Sequence, residues 1–319
     1  MDVGVTGSVA FDHIMSFGGR FQDHILADKI HALNVSFLVN GFEKRRGGCA
    51  PNIAYACALH GLHAGVIGTV GHDFSDYGDW LKERGVDLAA VKVIEDHHTA
   101  SCFITTDRAN NQITGFYPGA MAFAGELSLK DDTVPAPKIA VVAPNDPGAM
   151  TRYPGECREL GIPFLYDPGQ QVIALDADQL RDGITGARGL ICNDYELATI
   201  QKTLGGTLDD LLALTEMVIV TLGEKGSRIH TRDADPVEVP VAPVETVVDP
   251  TGCGDAYRGG FLAGHLRDLP LEDCGLIGAL TAAYCIEVQG TVEYSFDRAA
   301  FAARFEQAFG RPLTAPADA

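Results

Sequence analysis

Four short apolar runs at helix-length intervals limit the fold more than anything else in this chain. They are Ile139-Ala140-Val141-Val142-Ala143, Pro163-Phe164-Leu165-Tyr166, Leu190-Ile191-Cys192 and Met217-Val218-Ile219-Val220-Thr221. They lack polar alternation, which implies strands covered on both faces. Such strands, separated by helix-length stretches, predict an α/β fold whose parallel sheet lies between helical layers. The 46% hydrophobic content of the 319 residues is enough for that core. Asp2 to Ala10 and Ala64 to Val70 read as further strands, and Arg228 to Pro240 as a surface hairpin. Ligands gather at the carboxyl ends of strands in such sheets. Asp12, Asp167, Asn193 with Glu196, and Thr221 followed by Gly223 are expected there. Asp12 also fits an ordinary turn residue.

The chemistry concentrates in Asp249-Pro250-Thr251-Gly252-Cys253-Gly254-Asp255-Ala256-Tyr257-Arg258-Gly259-Gly260. An apolar segment, Val244 to Val248, precedes it. A helical spacing of small residues follows, with Ala256, Gly259, Gly260 and Ala263 on one face. Gly252 and Gly254 therefore sit at a loop-to-helix junction, where positive φ and close backbone approach are available. The first amides of a helix have no intrahelical partner and stand at its positive end, so the junction suits an anion, phosphate above all. Asp255 fits two roles there. It is a preferred N-cap type, or it is a base that takes a hydroxyl proton beside a phosphoryl site. A second glycine pair, Gly47-Gly48, opens another helix, with Asn52 in its first turn. Asn52 reads as a ligand-facing side chain or as a helix-start residue only.

Two patches break the regular alternation. Residues 13–46 mix apolar and polar residues, with possible strands at 14–17 and 35–39 and a charged run, Glu43 to Arg46, expected to be solvated. Thr99 to Asp107 and Gln112 to Tyr117 read as a hairpin about Arg108-Ala109-Asn110-Asn111. The two patches together predict a small β element apart from the helical layers. Phe37, Phe116 and Met121 in it suit either an apolar ligand or the element's own core. Helices are expected near 271–288 and 297–309, and a mobile tail from Arg311.

Net charge is −19, with 43 acidic against 24 basic residues, which argues against a nucleic-acid partner. Eight cysteines, at 49, 57, 102, 157, 192, 253, 274 and 285, include no C-x-x-C pair, so no zinc or dithiol motif is read. No signal-peptide pattern opens the sequence, and no apolar run reaches the ~18 residues of a membrane span. A cytoplasmic protein, with no membrane partner, is expected.

The chain resembles the ribokinase-like (PfkB) family of carbohydrate and nucleoside kinases. Gly47-Gly48-Cys49-Ala50-Pro51-Asn52, Gly68-Thr69-Val70-Gly71-His72-Asp73, Asn193-Asp194-Tyr195-Glu196 and Asp249 to Asp255 carry the resemblance, in that order. Gly7 to Met15, Asn34 to Val39 and Asn110 to Met121 look most like nucleoside kinases and adenosine kinase. The resemblance implies a three-layer α/β/α sandwich with a mainly parallel central sheet and a small β-sheet lid. Residues 1–12, 47–97 and 121–319 would form the large domain, and 13–46 and 98–120 the lid. It implies ATP-dependent phosphorylation of a ribonucleoside 5′-hydroxyl, with adenosine or another purine nucleoside as acceptor. Asp255 would be the base and the amides of Gly252, Cys253 and Gly254 the anion hole. Asp12, Gly48 and Asn52 would hold the sugar, with Phe37, Phe116 and Met121 beside the base. Asn193 and Glu196 would act on Mg²⁺ and phosphate through water, and Thr221 and Gly223 on ATP, as would Gly254. Asp249, Thr251 and the 289–291 loop lie near the family's monovalent-cation site, implying K⁺. A homodimer through the lid is a further expectation. Cys253 departs from the family's usual Ala and brings a thiol into the loop.

A ribose or fructose kinase would share every catalytic residue. The aromatic and Met content of the lid favours a planar base. A non-catalytic nucleotide-binding protein would be free to lose Asp255. A dinucleotide oxidoreductase is not indicated, since no strand is followed by G-x-G-x-x-G.

Overall fold

A computed structural model describes residues 1–25, 34–109 and 111–313. Asn110 of the expected turn, residues 26–33 of the first irregular patch and the end of the tail lie outside the described residues. Thirteen strands occur among those described: β1 (Val3–Thr6), β2 (Ala10–Phe17), β3 (Val39–Gly47), β4 (Ala64–Gly71), β5 (Val91–Ile94), β6 (Ala100–Thr106), β7 (Gln112–Tyr117), β8 (Ile139–Val142), β9 (Phe164–Tyr166), β10 (Gly189–Asn193), β11 (Met217–Thr221), β12 (Ser227–Thr231) and β13 (Ala234–Val239).

Nine of these form one sheet in the order β13-β12-β11-β10-β9-β8-β1-β4-β5. From β11 to β5 the pairing is parallel, while β12 and β13 close one edge as an antiparallel hairpin. The four apolar runs are β8 to β11, side by side, and nearly every residue in them is buried. Helices cover both faces. One apolar cluster joins the sheet to Phe261, Ile277 and Phe301, the other to Met150, Tyr153 and Ile200. Among the described residues no helix is long and apolar enough to cross a membrane.

A second sheet has the order β3-β2-β6-β7. Its first strand begins at Ala10, so Asp12 lies inside β2 and not past the end of β1. The chain leaves the large sheet at Thr6, breaks across Gly7 to Val9, and re-enters extended structure in the small sheet. The Glu43–Arg46 run is not merely solvated. It is part of β3, paired with β2, and its alternation sends Arg45 to one face and Arg46 to the other. Both arginines find acidic partners on distant segments, Asp249 and Glu293.

Glycine decides how the helices meet. A Cβ on Gly259 would fall 2.3 Å from the Cβ of Ala56, and one on Gly260 would fall 2.8 Å from the carbonyl oxygen of Ile277. The Cys253–His265 helix is therefore wedged between the helices Cys49–Leu59 and Leu271–Ile286 at a separation that larger side chains would prevent. That wedge sets Asn52 beside Asp255.

Candidate active site

Gly252, at φ 82°, is the N-cap of the Cys253–His265 helix and gives no side-chain cap. Asp255 is in the first turn, and its carboxylate does not cap the helix. It turns instead toward the Cys49–Leu59 helix, where Asn52 Nδ2 donates to Asp255 Oδ2 at 2.8 Å. The capping alternative is thereby removed. The Cys253 N–H closes a turn on the Pro250 carbonyl at 3.3 Å. The amides of Gly252, Gly254 and Asp255 have no partner among the described residues. The open amides are thus not quite the expected set, because the turn engages Cys253 and frees the amide of Asp255 itself. They stand at the positive end of a 13-residue helix.

Burial and nearby charges set the protonation of Asp255. Burial pushes its pKa up to about 7, while Arg258 and the Asn52 hydrogen bond pull it back. Arg258 was not picked out by the sequence reading. It is buried, donates from Nη2 to Asp167 Oδ1 at 2.7 Å, and pairs with the same carboxylate through Nε. Its guanidinium lies 2.8 Å from the place a Cβ on Gly254 would take, beneath the loop. Asp167, Asp255 and Glu196 all hold Arg258 in its charged form. Asp167, left without a role by the sequence, anchors that cation at the end of β9.

Asn52 is buried and its amide is engaged at both ends. The Thr291 hydroxyl lies 2.9 Å from its Oδ1 and 3.1 Å from the Arg46 carbonyl oxygen. One Asn52 N–H is thus directed at the Asp255 carboxylate, and Nδ2 carries a second donor. Gly48 has φ 97°. A Cβ there would sit 2.5 Å from the Ser8 carbonyl oxygen and 2.7 Å from the Ala10 nitrogen, so the glycine is needed where the chain passes residues 8–10.

Asp12 lies opposite Arg45 in β3 and Cys102 in β6, and Cys102 lies opposite Phe116 in β7. These four share one face of the small sheet, with Ile14 and Ile104 two residues along on the same side. Gly47 leaves room for the Asp12 carboxylate, since a Cβ there would meet Oδ2 at 2.6 Å. Burial raises Asp12 to about 6, with Arg45 opposing and Asp249 adding to the rise. Buried Tyr77 donates to the Gly47 carbonyl at 3.2 Å and lies within electrostatic reach of both Asp12 and Asp255. Phe37 does not join this face, whereas Met121 packs at its near end, where Ala10 and Ala100 precede Asp12 and Cys102 by two residues. Phe37 packs with Phe17 and Phe21, each at a ring separation of 5.0 Å. Met121 is buried against Ala10 and Ala100.

Asn193 and Thr221 pair at the ends of β10 and β11, and Gly223 follows at φ 59° with open space beside it. Asn193 and Glu196 form a reciprocal capping box, each side chain accepting from the other's backbone N–H at 2.8 Å. One Glu196 oxygen stays outside that box. Burial, and next to it Asp167, raise the Glu196 pKa. Among the described residues no three His, Cys, Asp or Glu side chains converge as direct metal ligands. The residues fit Mg²⁺ held by a single carboxylate, with water and phosphate oxygens completing the shell. They fit a monovalent ion at Asp249 poorly. That carboxylate already accepts from Thr251 N at 3.0 Å and Gly290 N at 3.1 Å, and faces Arg45 at 3.5 Å. Surface cavities beside Asp87, Arg304 and Trp80 hold neither Asp12 nor Asp255.

A buried carboxylate raised toward neutrality beside open helix-start amides is an arrangement suited to phosphoryl transfer to a hydroxyl. The chain matches the pfkB family of carbohydrate kinases over residues 9–297 and belongs to it. It is 32% identical to a nucleoside kinase of Methanocaldococcus jannaschii over 88% of this chain and 92% of that protein. Its fold superposes on the Burkholderia thailandensis nucleoside kinase in complex with inosine at a TM-score of 0.87, with 37% identity, covering 98% of this chain and all of that one. The M. jannaschii structure gives a TM-score of 0.85 at 29% identity, over 96% of this chain and 99% of that one. The protein is a phosphotransferase with a hydroxyl acceptor.

Proposed function

We propose that this chain is a ribonucleoside kinase, transferring the γ-phosphoryl group of ATP to the 5′-hydroxyl of adenosine or another purine nucleoside. The observation that carries the reading is Asp255: a carboxylate at about 7, in the first turn of a helix whose leading amides are open. The nucleoside acceptor is supported by similarity to two named nucleoside kinases and by a neighbour seen with inosine and with ADP-inosine.

In this reading Asp255 takes the proton of the 5′-hydroxyl as that oxygen attacks phosphorus. The open amides of Gly252, Gly254 and Asp255 stabilise the charge that develops on the transferring group. Glu196 and Asn193 would hold Mg²⁺ through water, which would supply charge neutralisation at the phosphates, while Thr221, Gly223 and Gly254 contact the nucleotide. Asp12 accepts from the ribose diol, Gly48 and Asn52 flank the sugar, and Ile14, Ile104 and Phe116 face the base. Residues 13–46 and 98–120 act as a lid on a large domain made by the rest. A second copy covers the lid's exposed apolar residues, among them Phe42 and Phe103.

A ribose or fructose kinase is the second reading, favoured by the fructokinase among the relatives and by the shared catalytic residues. Turnover of adenosine, inosine, guanosine, cytidine, ribose and fructose with MgATP separates the two. Nucleosides are expected to lead; ribose or fructose as clearly the best acceptor would overturn the nucleoside assignment.

A further inference from the structure

The loop before the anion-binding helix carries a cation supplied by the small sheet. Asp249 ties the loop together: its Oδ1 accepts from Thr251 N and its Oδ2 from Gly290 N. The carboxylate side chain is 17% exposed and stands three residues before Gly252. Left unbalanced, its charge would oppose the charge that develops at the helix start. The residue that faces it is Arg45 of β3, at 3.5 Å. That side chain is 16% exposed, its stem packs 3.9 Å from the Cβ position of Gly290, and Glu43 grips it from the other side through Nε at 2.9 Å.

The nearby carbonyl oxygens stand beside thiols. The Cys285 thiol lies 3.6 Å from the Thr251 carbonyl oxygen and 3.9 Å from that of Thr291, and the Cys253 thiol 4.0 Å from that of Asp249. A bound K⁺ replaces its water shell with a ring of such oxygens. Here they face sulfur, and the carboxylate faces a guanidinium.

We propose that Arg45 is the resident cation of this loop, standing where a monovalent ion would otherwise balance Asp249. The catalytic loop then needs no K⁺, and its charge balance depends on the small sheet being seated over the cleft. Asp12 lies directly opposite Arg45, so the acceptor carboxylate and the loop carboxylate share one cation. The proposal rests on the kinase reading of the site.

Two measurements test it. Crystals of the wild-type protein soaked in thallous ion, a K⁺ substitute with a strong anomalous signal, should show no peak at Asp249. Arg45→Ala crystals should show one. In steady-state assays with MgATP, wild-type kcat/KM should be the same in potassium chloride and in tetramethylammonium chloride. Arg45→Ala should lose about tenfold in tetramethylammonium and recover in potassium, a coupling of ordinary size. Arg45→Lys, which keeps the charge, should stay closer to wild type. A thallous peak at Asp249 in the wild type, or activation of the wild type by K⁺ of about tenfold, overturns the proposal. Absence of any kinase turnover would instead overturn the functional reading, while the thallous soak still decides the role of Arg45.

Discussion

Asn52 Nδ2 donates to Asp255 Oδ2 across 2.8 Å, joining two helices whose residues are 203 positions apart in the chain. The donor is fixed in its turn by Thr291 on Oδ1, so the amide cannot flip without breaking that second bond. The Asp255 carboxylate is thereby oriented by a side chain that the family resemblance assigns to the sugar.

That bond lowers the pKa of Asp255 against the rise caused by burial. Its loss in Asn52→Ala should move the acid limb of the kcat/KM profile upward from about 7. A profile whose limb stays in place would mean that Asn52 acts only on the sugar. A rise in KM with no change in the limb carries the same meaning.

The same burial makes Asp255 a stability liability. Its folded pKa of about 7 exceeds its ordinary 3.8, so the fold favours the protonated form. The stabilisation of that form is complete below the unfolded value and is lost as pH rises through the folded one. Asp255→Asn removes the charge and keeps an acceptor for Asn52. Its melting temperature should match wild type at about pH 4 and exceed it by a few degrees at about pH 8. Thermal denaturation at both pH values checks this, and a lower melting temperature for the variant at the higher pH would contradict it.

A carboxylate such as Asp12 accepts one hydrogen bond from each hydroxyl of a vicinal diol. Removing one hydroxyl leaves a half-buried carboxylate short of a partner, at about 1–3 kcal/mol. Adenosine should therefore exceed 2′-deoxyadenosine in kcat/KM by about tenfold or more. Asp12→Asn should narrow that ratio, and equal efficiencies in the wild type would remove Asp12 from diol recognition.

Cys253 is half-buried at the start of the Cys253–His265 helix, and the neighbouring Cys285 thiol lowers its pKa from the ordinary thiol value. Iodoacetamide should inactivate the enzyme by modifying Cys253, and MgADP should protect it. Cys253→Ala should stay active and resist the reagent. Peptide mapping locates the adduct; inactivation that persists in the variant would assign it to another cysteine.

Much of this was legible in the sequence, for physical reasons. Runs buried on both faces have no alternation, so β8 to β11 stand out. Glycines at a loop-to-helix junction mark an anion site, so Asp255 stands out with them. The rest depended on partners remote in the chain. Arg45 sits in a charged run that reads as solvated, because its partner Asp249 is 204 residues away. Arg258 lies within the most informative stretch, yet its role depends on Asp167, 91 residues distant. Phe37 has the composition of a base-lining residue, but it packs against Phe17 and Phe21. Asp12 reads as lying just past the first strand, whereas it lies inside β2, since nothing local shows that the chain changes sheets across Gly7 to Val9.

The account stands most directly on Asp255 as the base. Single-turnover phosphorylation of the best nucleoside by Asp255→Asn, with nucleoside affinity measured on the same preparation, isolates that role. Affinity should be unchanged, and the rate of phosphoryl transfer should fall by about 10²–10⁴, the usual contribution of a positioned base. Transfer by the variant at a rate near that of the wild type would contradict the assignment.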